Sequence, residues 1–133
     1  MKKSILLLAF SIVLTVLSAQ ELQLQDGKAF KDDQLFTGVD VTFFMGTEQI
    51  ETECPYSKGV KDGVEVFYHK NGTKKAERLW KKGLKDGVWI NWNEEGQQTA
   101  QASYSKNKKD GDCLYGQTRV FYYSKCTIKK VKK

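Results

Sequence analysis

The fold is decided by residues 59–106, which divide into two lines of 24 residues, GVKDGVEVFYHKNGTKKAERLWKK (59–82) and GLKDGVWINWNEEGQQTAQASYSK (83–106). Written one above the other, the lines share an initial Gly and a Lys-Asp-Gly triplet two residues later. The triplet returns after another 24 residues, where Asn107 replaces the initial Gly. A fixed period of this length is typical of repeat proteins, whose units stack side by side.

Each unit predicts two strands and two turns. In the second line we predict a Lys-Asp-Gly turn at 85–87, a strand over 88–93, a turn at 94–96 and a strand over 98–105. Glycine supplies the positive φ that tight hairpins require. The repeat columns are formed by glycines and aromatic residues: Gly63, Gly72, Gly87, Gly96, Gly111, Tyr68, Trp80, Trp92 and Tyr104.

Apolar residues alternate along both strands of the unit, which favours strand over helix. The alternation predicts that Val88 faces Ala102 and that Ile90 faces Ala100. On this interpretation Tyr68, Trp80, Trp92 and Tyr104 all pack on the face that carries Val88 and Ile90.

The flanking residues extend the pattern less regularly. A looser unit begins at Gly38 and aligns once one residue is deleted. We predict a degenerate cap over 20–37, a repeat domain over 38–128 and a basic tail over 129–133. The predicted fold is all-β, an elongated and twisted antiparallel β-meander of about eight strands, because four units supply two strands each.

The pattern Gly-x-Lys-Asp-Gly-Val-x-x-x-Tyr/Trp-x-x-x-Gly, with Trp80 or Tyr104 eight residues further on, resembles a bacterial variant of the MORN repeat. The resemblance is close over 59–106 and extends over 38–128. It implies a meander of β-hairpins with aromatic residues along one face. Proteins with this variant are often labelled YwqK-type antitoxins, so it also implies an antitoxin or immunity role. Asn107 and an irregular final hairpin depart from the pattern.

Residues 1–19 have the three parts of a secretory signal peptide. Lys2 and Lys3 precede an apolar run from Ile5 to Leu17, and the small residue Ala19 follows. The run of 13 residues is shorter than the roughly 20 that cross a bilayer, so cleavage after Ala19 is favoured over a membrane anchor. We predict a chain exported to the periplasm, the outer surface or the medium, without an integral membrane span after cleavage.

Positive charge concentrates at the C-terminal end. Residues 20–105 hold 11 Lys+Arg and 14 Asp+Glu, a net charge of −3, whereas residues 106–133 hold nine Lys+Arg and two Asp, a net charge of +7. A solvated tail is the ordinary explanation for the last lysines, Lys129, Lys130, Lys132 and Lys133. Contact with an anionic lipid, a glycan or an acidic protein is the alternative. Because the chain is predicted to be exported, nucleic acid is a poor candidate for its partner.

Residues that carry catalysis or bind metals are sparse. His69 is the only imidazole, and no nucleophile lies at a spacing that would pair with it. The three cysteines lack the close ligand pairs of a structural zinc site. We therefore predict no enzyme activity, no cofactor and no metal.

Export permits disulfides, and Cys113 and Cys126 are the only plausible pair because they flank one hairpin. The regular register places Lys125 opposite Cys113, which leaves Cys126 on the other face unless a bulge intervenes. The alternative is that Cys54, Cys113 and Cys126 are small buried or half-buried residues.

Three aromatic residues alternate with the valines along the predicted strands and so point to the other side of the sheet, among polar neighbours: Phe44, Phe67 and Trp89. Half-exposed aromatic side chains in such a setting predict a binding surface, although isolated exposed aromatics are also ordinary. On this hypothesis Trp89→Ala leaves thermal unfolding nearly unchanged. The predicted function is an exported, non-catalytic repeat module that binds an unidentified protein partner. The alternatives are binding of an anionic lipid or glycan through the basic end, and the antitoxin role.

Overall fold

A computed structural model describes the backbone of residues 21–115 and 120–121, and the side chains of residues 21–111. This part of the chain contains thirteen strands and no helix, and so no helix that is long and apolar enough to cross a membrane. The all-β prediction is confirmed. The strands are β1 Gln23–Gln25, β2 Lys28–Lys31, β3 Gln34–Leu35, β4 Gly38–Phe43, β5 Ile50–Ser57, β6 Val60–Lys61, β7 Gly63–Tyr68, β8 Lys74–Lys81, β9 Leu84–Lys85, β10 Gly87–Trp92, β11 Gln98–Ser105, β12 Lys108–Tyr115 and β13 Val120–Phe121.

The strands form two antiparallel sheets. β1, β2 and β3 make a small sheet, and the other ten strands make a large one. The order in the large sheet is β13-β12-β11-β10-β8-β7-β5-β4, with β6 paired to β5 and β9 paired to β8. Apart from the two-residue strands β6 and β9, neighbours in space follow one another along the chain, so the predicted meander of consecutive hairpins is confirmed. Its two ends, β4 and β13, do not pair with each other.

One hairpin geometry recurs with a spacing of 24 residues. Gly63 pairs with Trp80 in the β7–β8 hairpin, and Gly87 pairs with Tyr104 in the β10–β11 hairpin. The β4–β5 hairpin has the corresponding register. Each of the three also shifts register by one residue beside its loop, so the irregularities recur together with the regular pairs.

Two-residue turns reverse the chain where each unit meets the next. Lys82 and Gly83, between β8 and β9, have φ of 50° and 79°. Two successive positive φ values are the signature of the type I′ turn, which matches the twist of antiparallel strands. Positive φ also occurs at both residues of 26–27, 32–33, 58–59 and 106–107. Asn107, with φ of 70°, therefore takes the place of Gly, because Asn tolerates the left-handed region.

The Lys-Asp-Gly triplets lie at bulges and not at turns. The register of β8 shifts by two residues between its pairing with β9 and its pairing with β10. Asp86 and Gly87 are the extra residues, and equivalent shifts occur at 62–63 and 110–111. The predicted turn at 85–87 was wrong, because the chain reverses earlier, at Lys82 and Gly83.

The predicted strand register was also wrong by one residue. Trp89, and not Val88, pairs with Ala102. A shift of one residue moves every side chain of a strand to the other face of the sheet. The valines therefore do not share a face with Ala102.

Two faces follow from this register, and each keeps one name below. The aromatic face carries Phe67, Ala76, Arg78, Trp80, Trp89, Asn91, Ala100, Ala102 and Tyr104. The valine face carries Val39, Val41, Val64, Val66, Tyr68, Val88, Ile90 and Trp92. Tyr68 and Trp92 thus lie on the opposite face from Trp80 and Tyr104, which corrects the prediction that all four pack together.

The large sheet is a single layer with very little interior. Only five residues of 21–111 are buried: Ala29, Cys54, Gly59, Glu65 and Ala76. Val39, Val64 and Val88, which stand in one row of the valine face, are 58%, 47% and 44% exposed. Most domains pack two layers around a core. Stability here depends on strand pairing and on contacts along each face.

Main-chain hydrogen bonds join each turn to the preceding unit. The N–H of Gly83 donates to the carbonyl of Lys61 at 2.7 Å, and that of Asn107 donates to the carbonyl of Lys85 at 2.9 Å. Asn107 Oδ1 also accepts from the N–H of Lys85 at 2.8 Å. The N–H of Ala29 donates to the carbonyl of Gly59 at 2.7 Å, which attaches the small sheet to the large one.

Candidate binding surface

A row of stacked rings runs across three strands of the aromatic face. The centroid of the Trp89 ring lies 5.1 Å from that of Trp80 and 4.8 Å from that of Tyr104, with tilted planes. Trp89 Nε1 donates to the carbonyl of Leu79 at 3.0 Å. Tilted aromatic pairs at this separation stabilise by more than their buried area. Trp89 is therefore a packing centre of this face.

Cationic side chains cover these rings. Lys61 Nζ lies 5.1 Å from the Trp80 ring, and Lys85 Nζ lies 4.8 Å from the Trp89 ring and 5.5 Å from the Tyr104 ring. Lys61 and Lys85 are the lysines of two Lys-Asp-Gly triplets. Cation–π attraction therefore gives the triplet lysine a structural role that the sequence interpretation missed.

Arg78 lies between two of the predicted binding aromatics. Its guanidinium carbon is 5.9 Å from the Phe67 ring and 5.0 Å from the Trp89 ring. It donates to Asn91 Oδ1 at 2.7 Å and to the carbonyl of Ile90 at 3.1 Å. No carboxylate within residues 21–111 forms an ion pair with it. Burial lowers the pKa of Arg78, and the Glu65 carboxylate on the facing strand opposes this effect. Arg78 stays charged because guanidinium is a very strong base.

A shallow depression of about 250 Å³ opens beside Arg78. Ala100 and Ala102 line it with small side chains, and Trp89 and Tyr104 line it with rings. It thus offers an apolar surface, aromatic walls and a cation that forms no ion pair within residues 21–111. These features suit an anionic group attached to an apolar body.

A buried polar cluster lies on the same side of the sheet in the preceding hairpins. Glu65, only 5% exposed, accepts from Trp80 Nε1 at 2.7 Å and pairs with Lys61 Nζ at 2.5 Å. Burial, followed by the nearby Glu65 carboxylate, raises the pKa of the Cys54 thiol to about 11. Burial, followed by Cys54, raises the pKa of Tyr56. A thiol that stays protonated is a poor nucleophile, so this cluster is suited to packing.

The structure brings together two of the three predicted binding aromatics. Phe67 and Trp89 both lie on the aromatic face and both contact Arg78. Phe44 lies apart, in the loop after β4, where Lys70 Nζ is 5.9 Å from its ring. The expectation that Trp89→Ala leaves unfolding unchanged conflicts with the position of Trp89 between two rings.

Several predicted positions lie outside the described residues. Lys129, Lys130, Lys132, Lys133 and Cys126 belong to this group, so the basic surface and the disulfide stay predictions. The backbone of Cys113 is described, and it pairs with Phe121. The predicted opposition of Cys113 and Lys125 was therefore wrong.

His69 lies at the end of the β7–β8 hairpin. The ring nitrogen Nε2 of His69 is 3.0 Å from the carbonyl oxygen of Trp92. The main-chain N–H of His69 donates to the carbonyl of Thr73 at 2.8 Å. Both partners are main-chain carbonyl groups, which is a structural arrangement. Among the residues that the structure describes, no three His, Cys, Asp or Glu side chains gather as metal ligands do.

No protein-family model, no curated protein and no solved structure matches the chain. The MORN-like resemblance therefore rests on the sequence pattern and stays a prediction.

The sequence interpretation missed Arg78 as a site residue. The signal was present, because Arg78 stands between Ala76 and Trp80 in a column that is otherwise apolar. A charged residue that breaks such a column either pairs with an opposite charge or meets a ligand.

Proposed function

We propose that this chain is an exported, non-catalytic binding module that holds an acidic segment of a protein partner on its aromatic face. The observation that supports this is the half-buried guanidinium of Arg78, which forms no ion pair within residues 21–111 and opens into the depression. Glu65 on the facing strand attracts it, but the two Glu65 oxygens are bound by Lys61 and by Trp80 Nε1. Half-buried charges are usually paired, because desolvation without a counter-charge is costly. An acidic side chain of the partner supplies the direct ion pair that residues 21–111 do not provide.

The hydrogen bonds of Arg78 leave it donors for a ligand. Its terminal nitrogens donate to Asn91 Oδ1 and to the carbonyls of Glu77 and Ile90. A guanidinium has five N–H groups, so two have no acceptor among these contacts. They can donate to a carboxylate while the existing bonds hold the guanidinium in place, and the rings of Trp89 and Tyr104 pack against the apolar part of the partner.

Two short synthetic peptides that differ in one side chain test this proposal. Ala-Leu-Glu-Leu-Ala, blocked at both ends, carries the carboxylate, and Ala-Leu-Gln-Leu-Ala is its uncharged match. We expect the Glu peptide to change the tryptophan fluorescence at concentrations about tenfold lower than the Gln peptide, because only the carboxylate pairs with Arg78. Equal affinities for the two peptides would contradict the proposal.

A matched pair of variants assigns the contact to Arg78. Arg78→Gln removes the charge and should abolish the preference for the Glu peptide. Lys75→Gln removes an exposed charge of the same strand and should preserve that preference. If the Arg78 variant still preferred the Glu peptide, the contact with the carboxylate would have to lie on another part of the surface.

Export is tested separately from binding. The proposal requires the protein in the cell envelope or the medium, with a mature N-terminus at Gln20. Mass spectrometry of the protein from fractionated cells measures both. Uncleaved protein found only in the cytosol would contradict export and would favour the antitoxin role instead.

A further inference from the structure

The valine face carries aromatic side chains of its own, at the ends of three strands. Phe43, Tyr68 and Trp92 are the last residues of β4, β7 and β10, and we call them the Phe-Tyr-Trp row. β5 lies between the first two of these strands, and β8 lies between the last two. Because neighbouring strands are about 4.8 Å apart, the row repeats at about 9.6 Å.

The rings of this row do not cover one another. Phe43 is 52% exposed, and Tyr68 and Trp92 are half-buried. No ring contact joins any two of them, in contrast to the stacked rings of the aromatic face. Two spaces therefore separate the rings. We call the space over β5, between Phe43 and Tyr68, the β5 notch, and the space over β8, between Tyr68 and Trp92, the β8 notch.

The indole N–H of Trp92 is available to a bound chain. The indole N–H groups of Trp80 and Trp89 donate within the chain, whereas that of Trp92 has no acceptor within residues 21–111. No buried side-chain nitrogen of the described residues lacks a hydrogen bond, so the N–H of Trp92 lies at the surface. An indole at an interface packs through its ring and donates through its N–H. The row thus offers apolar rings together with a donor for a main-chain carbonyl.

The β5 notch carries negative charge that no ion pair neutralises within residues 21–111. Glu53 of β5 accepts from Tyr68 Oη at 2.7 Å and forms no ion pair there. Glu51, two residues away on the same strand, is exposed and forms none either. Beside the β8 notch, by contrast, Lys74 and Glu77 pair at 2.5 Å. A cation of a bound chain is therefore favoured at the β5 notch and not at the β8 notch.

The spacing of the row selects the conformation of that chain. A polyproline II helix places every third residue on one side, about 9.3 Å apart, so it drifts from the row by only about 0.3 Å at each ring. An α-helix repeats on one side after seven residues, about 10.5 Å, and drifts by about 0.9 Å at each ring. A β-strand places residues on one side about 6.7 Å apart and does not match. The polyproline II helix best keeps its contacts in phase across the three rings.

We propose that the valine face binds a proline-rich segment of a partner protein as a polyproline II helix that crosses the strands. Its prolines pack on the Phe-Tyr-Trp row, and a Lys or Arg of the segment lies over the β5 notch beside Glu53. One of its main-chain carbonyls accepts from the Trp92 N–H. Such a helix is ordered before it binds, so little conformational entropy is lost. This site lies on the opposite face from the Arg78 depression, so either one can fail without the other.

Three peptides, blocked at both ends and added to the full chain labelled for NMR, test the proposal. The first contains three Pro-Pro-Lys repeats, the second contains three Pro-Pro-Glu repeats with the opposite charge, and the third contains three Gly-Gly-Lys repeats without the polyproline conformation. We expect the Pro-Pro-Lys peptide to bind about tenfold more tightly than either of the others.

The indole signals locate the bound peptide. Binding of the Pro-Pro-Lys peptide should shift the indole N–H signal of Trp92 and leave those of Trp80 and Trp89 unchanged. Equal affinity for either comparison peptide, or shifts confined to the other two indoles, would overturn the proposal.

A matched pair of variants tests the contact with Glu53. Glu53→Gln should weaken binding of the Pro-Pro-Lys peptide by about tenfold, because it removes the charge and keeps an acceptor for Tyr68. Glu95→Gln, the same change in the exposed loop after β10, is the control and should leave binding unchanged. If Glu53→Gln does not fold, Glu51→Gln should still weaken binding. Binding as tight in the folded notch variant as in the control variant would contradict the cation assignment.

Trp92→Phe tests the hydrogen bond from the indole. This variant keeps an aromatic ring in the row and loses the N–H, so binding of the Pro-Pro-Lys peptide should weaken by about fivefold. An unchanged affinity would contradict the assignment of this donor.

The free full chain tests the other occupants of the valine face. Sedimentation should show a monomer, and the Trp92 indole N–H should exchange rapidly before peptide is added. A dimer in which this N–H is protected would show that a second copy covers the row. Protection in a monomer would show that another segment of the same chain covers it. Either result would overturn the assignment to a proline-rich partner.

Discussion

The ring of Trp89 lies against the ring of Tyr104, with centroids 4.8 Å apart and planes tilted by 46°. The two residues belong to adjacent strands, and Trp80 completes the row from the other side. In a sheet without a second layer, such contacts along one face take over part of the role of a core.

Trp89→Ala should lower the free energy of unfolding by about 3 kcal/mol, because it removes a ring packed between two others and leaves space behind. Val88→Ala, on the neighbouring exposed position, should cost less than about 1 kcal/mol. Chemical denaturation followed by circular dichroism measures both. A Trp89 variant as stable as the Val88 variant would show that the row of rings does not support the sheet.

Gly87→Ala should destabilise more than Gly96→Ala. Both glycines have positive φ, so each change costs about 1 kcal/mol in backbone conformation. A Cβ on Gly87 would also lie 2.5 Å from Leu79 Cδ2, whereas a Cβ on Gly96 would have no atom within 4 Å. We expect a total of about 2 to 3 kcal/mol at Gly87. Thermal unfolding of the two variants checks the order, and equal losses would contradict the bulge geometry.

Asn107→Ala should cost about 1 to 2 kcal/mol, because Ala disfavours a φ of 70° and removes the acceptor for the Lys85 N–H. Asn107→Gly should cost less, since it relieves the backbone and loses only the side-chain acceptor. The comparison is made by urea titration. A Gly variant less stable than the Ala variant would show that the left-handed turn is not formed.

Alkaline pH should destabilise the fold through Cys54. The ordinary pKa of the thiol is 9.0, and burial raises it to about 11 in the folded chain. Between these values the unfolded thiol loses its proton while the folded thiol keeps it, so stability falls as pH rises. The loss is on the order of 3 kcal/mol once pH exceeds the folded pKa. Urea midpoints measured from pH 8 to 11 test this.

Cys54→Ser is the control for the alkaline loss. The variant should show a shallower decline with pH, because the hydroxyl does not ionise in this range. Tyr56 retains a contribution of the same sign, since its pKa is also raised. An unchanged decline in the Ser variant would assign the effect to tyrosines or lysines instead.

The strands and the meander of the fold could be predicted from the sequence, but the place of the turn near Gly87 and the cross-strand register could not. Residues 98–105 form the predicted strand without any change of bounds. Trp89 and Val88 both fit a pleated surface, and a single layer does not make one face clearly apolar. The one-residue bulge beside the loop, between Asn91 and Trp92, decides whether Trp89 or Val88 faces Ala102. The alternation of apolar residues does not predict this bulge.

Because the register could not be predicted, only part of the candidate site was predicted from the sequence. Trp89 and Phe67 were selected because they break the valine pattern, and both contact Arg78 in the structure. The sequence pattern places Arg78 in a column of apolar residues and assigns it no part in binding. Its contact with Trp89 depends on pairing between strands of different hairpins, and the sequence period does not specify that pairing.

The most direct test of the account is the cross-strand register of the β10–β11 hairpin, since both faces and the depression beside Arg78 follow from it. Nuclear Overhauser effects between backbone protons of opposite strands measure this register. The account predicts contacts of Trp89 with Ala102 and of Asn91 with Ala100. Contacts of Val88 with Ala102 and of Ile90 with Ala100 would exchange the two faces and contradict it.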